Sequence, residues 1–131
     1  KYIENADPMK TKQLAKGIDQ LMGEGGAQLF VNQHNGRKLI GTVGQLQFEV
    51  IQYRLENEYN AKCRWEPVNL YKACWIESDD EAELEAFKKR KYQYMAKDIE
   101  GRDVFLADSN YVLQMAQSDF KSIRFHFTSE F

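Results

Sequence analysis

Residues 41–50 read GTVGQLQFEV and join a predicted strand to a predicted helix. Before the turn, Leu39 and Ile40 are apolar neighbours, as in a buried strand. After the turn, Phe48, Ile51 and Leu55 recur at intervals of three and four residues. This spacing places their side chains on one face of a helix. The segment therefore predicts a strand, a tight turn and an amphipathic helix that packs on a core.

Further elements are predicted on both sides of this segment. Asp7 before Pro8 predicts a capped helix that runs from about Pro8 to Met22. Asn35-Gly36 between two apolar runs predicts a hairpin. Predicted strands at Tyr2 to Glu4 and at Lys62 to Trp65 complete the order strand, helix, strand, strand, helix, strand. This order, over residues 1–66, is the ferredoxin-like pattern.

A second α/β part is predicted over residues 67–131. Ser78 and Glu81 form a predicted capping box for a helix whose apolar side chains extend to Tyr94 and Met95. The remaining elements are predicted strands at Tyr71 to Ile76, Val104 to Ala107 and Ser122 to Thr128, and a short helix capped by Ser109. We therefore predict an α+β fold, with a ferredoxin-like βαββαβ first half and an additional βαβαβ second half packed into one domain.

Composition limits the class of protein. The 131 residues are 43% hydrophobic, which is enough for one folded domain. The formal net charge of -2 gives no overall attraction for nucleic acid, so any RNA contact needs a local basic patch. The absence of a long apolar run and of a signal-like start predicts a cytoplasmic protein without a membrane contact. Because the chain starts at Lys1 and not at methionine, we expect a piece of a longer protein.

The sequence contains no recognisable catalytic, cofactor-binding or metal-binding motif. Cys63 and Cys74 lack metal-site spacing and are predicted to be buried free thiols. His34 and His126 have no carboxylate or cysteine at ligand spacing, and we expect both at the surface. The glycines of residues 41–50 do not fit a dinucleotide fingerprint and are predicted to serve the tight turn. No phosphate-binding loop occurs, so we expect this chain alone neither to bind nor to hydrolyse GTP.

The turn resembles one found in the C-terminal domain of the peptide chain release factor three family, the bacterial class II release factors. The residues that carry the resemblance are Gly41, Gly44, Leu46, Gln47 and Phe48. Elongation factor G relatives have a similar strand, turn and helix but usually read Gly-Glu-Leu-His-Leu at the turn. The resemblance extends from Asp7-Pro8-Met9-Lys10 to the aromatic end at residues 123–127, and so covers nearly the whole chain.

The resemblance implies a docking and signalling domain without catalytic residues. In this family a GTP-binding domain and a barrel-like domain precede the C-terminal domain, so GTP or GDP with magnesium is expected upstream and no cofactor in this chain. The implied partners are the ribosome, through rRNA and ribosomal proteins, the chain's own upstream domains and, indirectly, the class I release factors. The implied role is to promote recycling of class I release factors in translation termination.

Basic residues give two candidate ribosome contacts. The larger is the run Lys88, Lys89, Arg90 and Lys91 at the end of a helix that begins with acidic residues, and the smaller is Arg37 with Lys38. Cations at a helix C-terminus are favoured by its dipole, so a solvated helix explains the run as well as RNA contact does. The large aromatic residues Phe48, Trp65, Trp75, Phe125 and Phe127 are predicted to lie in the core, which disfavours base stacking.

Two other functions stay open at this point. A ferredoxin-like fold also suits a free-standing module that binds a small ligand or catalyses a simple hydrolysis. The equivalent domain of an elongation factor G relative is the second alternative. A phosphate-binding loop upstream of Lys1 would separate the translational GTPases from the free-standing module.

Overall fold

The computed structural model describes all residues, Lys1–Phe131. It contains four α-helices and eight strands. In chain order these are β1 (Tyr2–Asn5), α1 (Thr11–Gly23), β2 (Ala27–Asn32), β3 (Lys38–Thr42), α2 (Leu46–Glu58), β4 (Cys63–Glu66), β5 (Lys72–Glu77), α3 (Glu81–Arg90), β6 (Met95–Lys97), β7 (Asp103–Ala107), α4 (Asn110–Asp119) and β8 (Arg124–His126). Short 3-10 helices at Pro8–Lys10 and Tyr92–Tyr94 precede α1 and β6. The predicted α+β class is confirmed.

The first compact unit comprises Lys1–Leu29 and Arg37–Val68. Its strands follow the order β4-β1-β3-β2, and β1 pairs antiparallel with both β3 and β4. The placement of β1 between β3 and β4, each reached through a helix or a hairpin, is the split β-α-β arrangement. Buried side chains of α1 and α2 supply the core, among them Ile18 and Leu55. The predicted ferredoxin-like order of this half is confirmed.

The second compact unit comprises Phe30–Gly36 and Asn69–Phe131. Its order β5, α3, β6, β7, α4, β8 contains one strand more than the predicted βαβαβ, so that prediction was wrong. The missing element is β6, which pairs with β7 and with the end of β2. In this unit β5 lies between β7 and β8, as β1 lies between β3 and β4 in the first. The two units therefore share one βαββαβ topology.

Two of the three predicted caps form, although Asp7 caps the 3-10 helix Pro8–Lys10 and α1 itself begins at Thr11. The side chains of Asp7 and Ser109 accept hydrogen bonds from the backbone of Met9 and Val112, at 3.0 and 3.1 Å. The predicted capping box of Ser78 and Glu81 is wrong. Asp80 caps α3 by accepting from the Glu83 N–H at 3.1 Å, because the strand before it ends one residue before Ser78 and leaves room for a turn. The Ser78 hydroxyl instead accepts from the Asp80 N–H.

Buried free thiols are confirmed at both cysteines. Cys63 and Cys74 are buried and unpaired, and burial raises the pKa of each thiol to about 11. A thiol that stays protonated behaves as a small apolar group.

No helix in the structure has the length and apolar composition needed to cross a membrane.

Gly17 permits a close approach of α1 and α2. A Cβ atom at this position would lie 2.7 Å from Leu55 Cδ2 and 2.9 Å from Tyr59 Cγ. Leu55 is fully buried, so it has little room to move away. The pair of helices therefore requires glycine here for space, although glycine is a poor helix former.

We expect Gly17→Ala to lower the free energy of unfolding. Overpacking costs about 1–3 kcal/mol, which exceeds the gain of up to about 1 kcal/mol that alanine brings to a helix. The midpoint of urea denaturation should fall. Gly44→Ala is the control, because a Cβ at Gly44 would meet nothing within 4 Å; its midpoint should stay equal or rise. Equal midpoints for both variants would contradict the close approach at Gly17.

Candidate functional site

The turn between β3 and α2, which holds the family signature Gly41, Gly44, Leu46, Gln47 and Phe48, is closed by the side chains of Thr42 and Gln47. The Thr42 hydroxyl donates to the Gly44 carbonyl oxygen at 2.8 Å, and the Val43 N–H donates to Gln47 Oε1 at 3.1 Å. The Gln47 side chain therefore links the first turn of α2 to the loop before the helix. Leucine or valine at this position could not accept that bond.

Glycine is not required by the backbone of this turn. Gly44 does not have the positive φ that favours glycine, and the space around its missing side chain is open. Gly41 lies within β3, before the turn. Gly44 lies in the turn between β3 and α2, but a residue with a side chain would also fit there.

Phe48 points inward and closes one end of the first unit's core. It is 9% exposed, and its ring meets the Trp65 ring edge-on with centroids 5.0 Å apart. The Lys1 ammonium lies 4.9 Å from the Phe48 centroid. The Trp65 indole N–H donates to Gln52 Oε1 at 3.0 Å, which fixes the partner ring. Phe48 therefore has a packing role.

The opposite side of α2 carries apolar side chains in solvent. Leu46, Val50 and Tyr53 are 69%, 51% and 67% exposed, and Val43 just before the helix is 96% exposed. We call these four residues the α2 stripe. Analysis of the sequence named Leu46 only as part of the family resemblance and did not recognise an exposed line, although the spacing of four and three residues along α2 indicates one.

Arg37 is engaged within the first unit. Its guanidinium pairs with Glu4 at 2.7 Å and with Glu66, and it lies 3.9 Å from the Tyr2 ring centroid. The hydrogen bond to Glu66 raises the pKa of Arg37. Lys38, its neighbour in the predicted contact, extends from β3 without an ion pair. An RNA phosphate would have to compete with two carboxylates for Arg37.

Within the basic run at the end of α3, Lys88 differs from the other three cations because it forms ion pairs. Lys88 pairs with Asp103 at 2.8 Å and with Glu85 at 3.3 Å, and the bond to Asp103 raises the pKa of Lys88. Lys97 also binds Asp103, at 2.7 Å. Partial burial opposes ionisation of Asp103, but the bonds from Lys88 and Lys97 outweigh it and hold the pKa of that carboxyl below its ordinary value. Lys88 is thus part of an internal network.

The other members of the run have no carboxylate partner. Lys89 and Arg90 are exposed, and Lys91 is half-buried. The Arg90 guanidinium lies 5.3 Å from the Phe120 ring centroid, a contact that leaves its N–H donors available. In the sequence the four cations are indistinguishable. In the structure only Lys88 forms ion pairs, so Lys89, Arg90 and Lys91 can bind an external anion.

The acidic residues before α3 serve a second ion-pair group. Arg124 pairs with Glu77 at 3.0 Å and with Asp79 at 3.3 Å, and His126 Nε2 lies 2.8 Å from Glu77 Oε1. This carboxylate partner of His126 lies 49 residues away in the sequence. Pairing of β8 with β5 places Arg124 beside Glu77, a register that residue spacing along the chain does not reveal. The other histidine, His34, packs edge-on to Tyr92.

Phe127 is the clearest exception to the predicted aromatic core. It is 47% exposed, and the Lys72 ammonium lies 4.5 Å from its ring centroid. Trp75 is buried, as predicted. Trp65 and Phe125 are half-buried. No three histidine, cysteine, aspartate or glutamate side chains come together in a way that could hold a metal ion.

Comparison with protein families identifies the chain. The family model described as class II release factor RF3, C-terminal domain, matches residues 1–117 of the 131. The match includes the signature turn and both βαββαβ units up to α4. The chain therefore belongs to the family of C-terminal domains of class II release factors, which have their role in translation termination.

Proposed function

We propose that this chain is the ribosome-docking and signalling domain of a GTP-dependent peptide chain release factor, and that it helps to promote recycling of class I release factors. The family match over most of the chain carries this proposal. In the parent protein, an upstream domain binds GTP or GDP with magnesium, and a barrel-like domain joins it to this one. This chain needs no cofactor of its own and works in the cytoplasm.

Its mechanism is binding that depends on the state of the upstream domain. A folded arm with one surface toward the GTPase domain and another toward the ribosome converts a change of nucleotide into a change of affinity. Two compact units built from helices and antiparallel strands provide folded surfaces suited to this task. Surface contacts, and not a catalytic constellation, are therefore what the variants should probe.

Within this proposal, the contact with ribosomal RNA is made by Lys89, Arg90 and Lys91. None of them forms an ion pair, so their charges can meet phosphates without breaking an internal bond. Lys88 is excluded because Asp103 and Glu85 hold it. Each phosphate that is neutralised releases condensed counterions, which makes such binding dependent on salt.

The test is ribosome association of the full-length parent with Lys89, Arg90 and Lys91 replaced by glutamine. We expect weaker association and a slope of log affinity against log salt that is smaller by about 2–3. The control replaces Lys10, Lys12 and Lys16 by glutamine, which removes the same charge from the first unit. An unchanged slope, or an equal loss in both triple variants, would show that the end of α3 is not a specific contact.

A further inference from the structure

We propose that the α2 stripe and the groove beside it form a docking surface for a basic, amphipathic segment of a partner protein. This surface lies in the first unit. It does not depend on the RNA contact proposed for α3, and it would hold its partner through a different chemistry.

The apolar part of the surface is a second line of side chains on α2. Phe48, Ile51 and Leu55 already supply the buried face of this helix. Leu46, Val50 and Tyr53 recur at the same helical spacing on the other side. Single exposed apolar residues are normal on protein surfaces, but a continuous line of them on one helix is typical of an interaction surface. The α2 stripe therefore exposes more apolar area than folding requires.

The α2 stripe continues into a groove of about 180 Å³ between the end of α1 and α2. Leu21, Met22 and Ile51 form its apolar lining, and Val50 belongs both to the groove and to the stripe. Gly25 and Gly26 line the same groove, and as glycines they place no side chain in it. The groove offers a place for one apolar side chain of a partner, next to a line that a helix can cover.

Charge around the stripe selects a cationic partner. Glu49 and Glu56 lie seven residues apart and follow one edge of the stripe, and neither forms an ion pair. On the other edge, Arg54 is bound by Glu24 at 2.7 Å and by Glu58 at 2.6 Å. Glu24 and Glu58 thus neutralise Arg54 on that edge, while Glu49 and Glu56 on the other edge have no cation bound to them. This surface repels RNA phosphates and attracts lysine or arginine side chains.

These observations fit a helix with leucine-like residues on one face and basic residues beside them. Its apolar face would cover the stripe, one side chain would enter the groove, and its cations would meet Glu49 and Glu56. Recognition of amphipathic helices by apolar grooves follows this scheme.

The proposal is tested with a labelled helical peptide of about 18 residues that carries one leucine face flanked by lysines. Fluorescence anisotropy would measure its affinity for the 131-residue chain. One comparison peptide has glutamate in place of lysine, and another has the basic sequence scrambled. We expect the basic amphipathic peptide to bind at least about tenfold more tightly than either. Addition of this peptide should change the amide chemical shifts of α2 and of Gly25 and Gly26 in the chain.

Matched variants of the chain complete the test. Leu46→Ser with Val50→Ser should weaken binding by at least about tenfold, while Tyr111→Ser with Met115→Ser, an exposed pair on α4, should leave it unchanged. The double variant Glu49→Lys with Glu56→Lys should no longer bind the basic peptide and should bind the peptide that has glutamate in place of lysine. Because the replaced side chains are exposed, thermal melting should show that all variants fold.

Four results would overturn the proposal. The first is equal binding of the scrambled peptide, and the second is unchanged binding by the stripe variant. The third is concentration-dependent dimerisation in sedimentation that the stripe variant abolishes, which would make a second copy the occupant. The fourth is a peptide that binds this chain but not the full-length parent, which would show that the parent itself covers the surface.

Discussion

Phe87→Ala is expected to lower the free energy of unfolding by about 3–5 kcal/mol, a large part of the stability of an ordinary domain. Phe87 is fully buried and is the only fully buried side chain that α3 contributes to the second unit. Its ring meets those of Phe105, Phe120 and Phe125 edge-on, with centroids 5.3, 4.9 and 5.8 Å apart. Truncation would remove all of these contacts and leave a cavity that the rigid strands around it cannot fill.

Urea denaturation followed by circular dichroism would measure this loss. Phe127→Ala is the control, because it removes the same side chain from a position that is about half exposed. Its cost should be limited to the contact with Lys72 and stay below about 1 kcal/mol. Similar midpoints for the two variants would contradict the assignment of Phe87 to the centre of this core.

The first unit could be predicted because its signals are local. Helical spacing fixes the buried faces of α1 and α2, Asp7 and Pro8 mark the 3-10 helix that leads into α1, and Asn35-Gly36 marks the hairpin. Each of these features depends on residues only a few positions apart. The order βαββαβ follows once every element is recognised.

The second unit could be predicted only in part because β6 has almost no local signal. It has three residues and follows directly after the 3-10 helix Tyr92–Tyr94, so its apolar residues read as the end of a helix. Ala96 lies in a strand because Val104 pairs with it on one side and Asn32 on the other. Strand formation of this kind depends on the neighbours in the sheet more than on the residues themselves.

The candidate contacts show the same division between local and long-range information. The run of four cations at the end of α3 is visible in the sequence, but the partner that engages Lys88 is Asp103, in a different strand. Arg37 is held by Glu66 across 29 residues. Which charges are available to a ligand is therefore decided by tertiary pairing. By contrast, the spacing of Leu46, Val50 and Tyr53 was available in the sequence, and the assignment of α2 to a single buried face concealed it.

Phe48→Ala is expected to destabilise the first unit by about 3–5 kcal/mol. The side chain is 9% exposed and packs on Trp65. The variant should lose the cooperative urea transition or show it at a much lower midpoint. Leu46→Ala is the matched control, because it lies two residues earlier in the same helix with a side chain that is 69% exposed.

The two variants separate the structural part of the signature from its surface part. Leu46→Ala should change the free energy of unfolding by no more than about 0.5 kcal/mol, since surface substitutions rarely cost more. Phe48→Leu should recover much of the loss, because leucine refills most of the cavity with apolar atoms. If Phe48→Ala kept the midpoint of the parent while Leu46→Ala lowered it, the faces of α2 would be reversed. In that case Phe48, and not the α2 stripe, would be the residue of the signature that meets a partner.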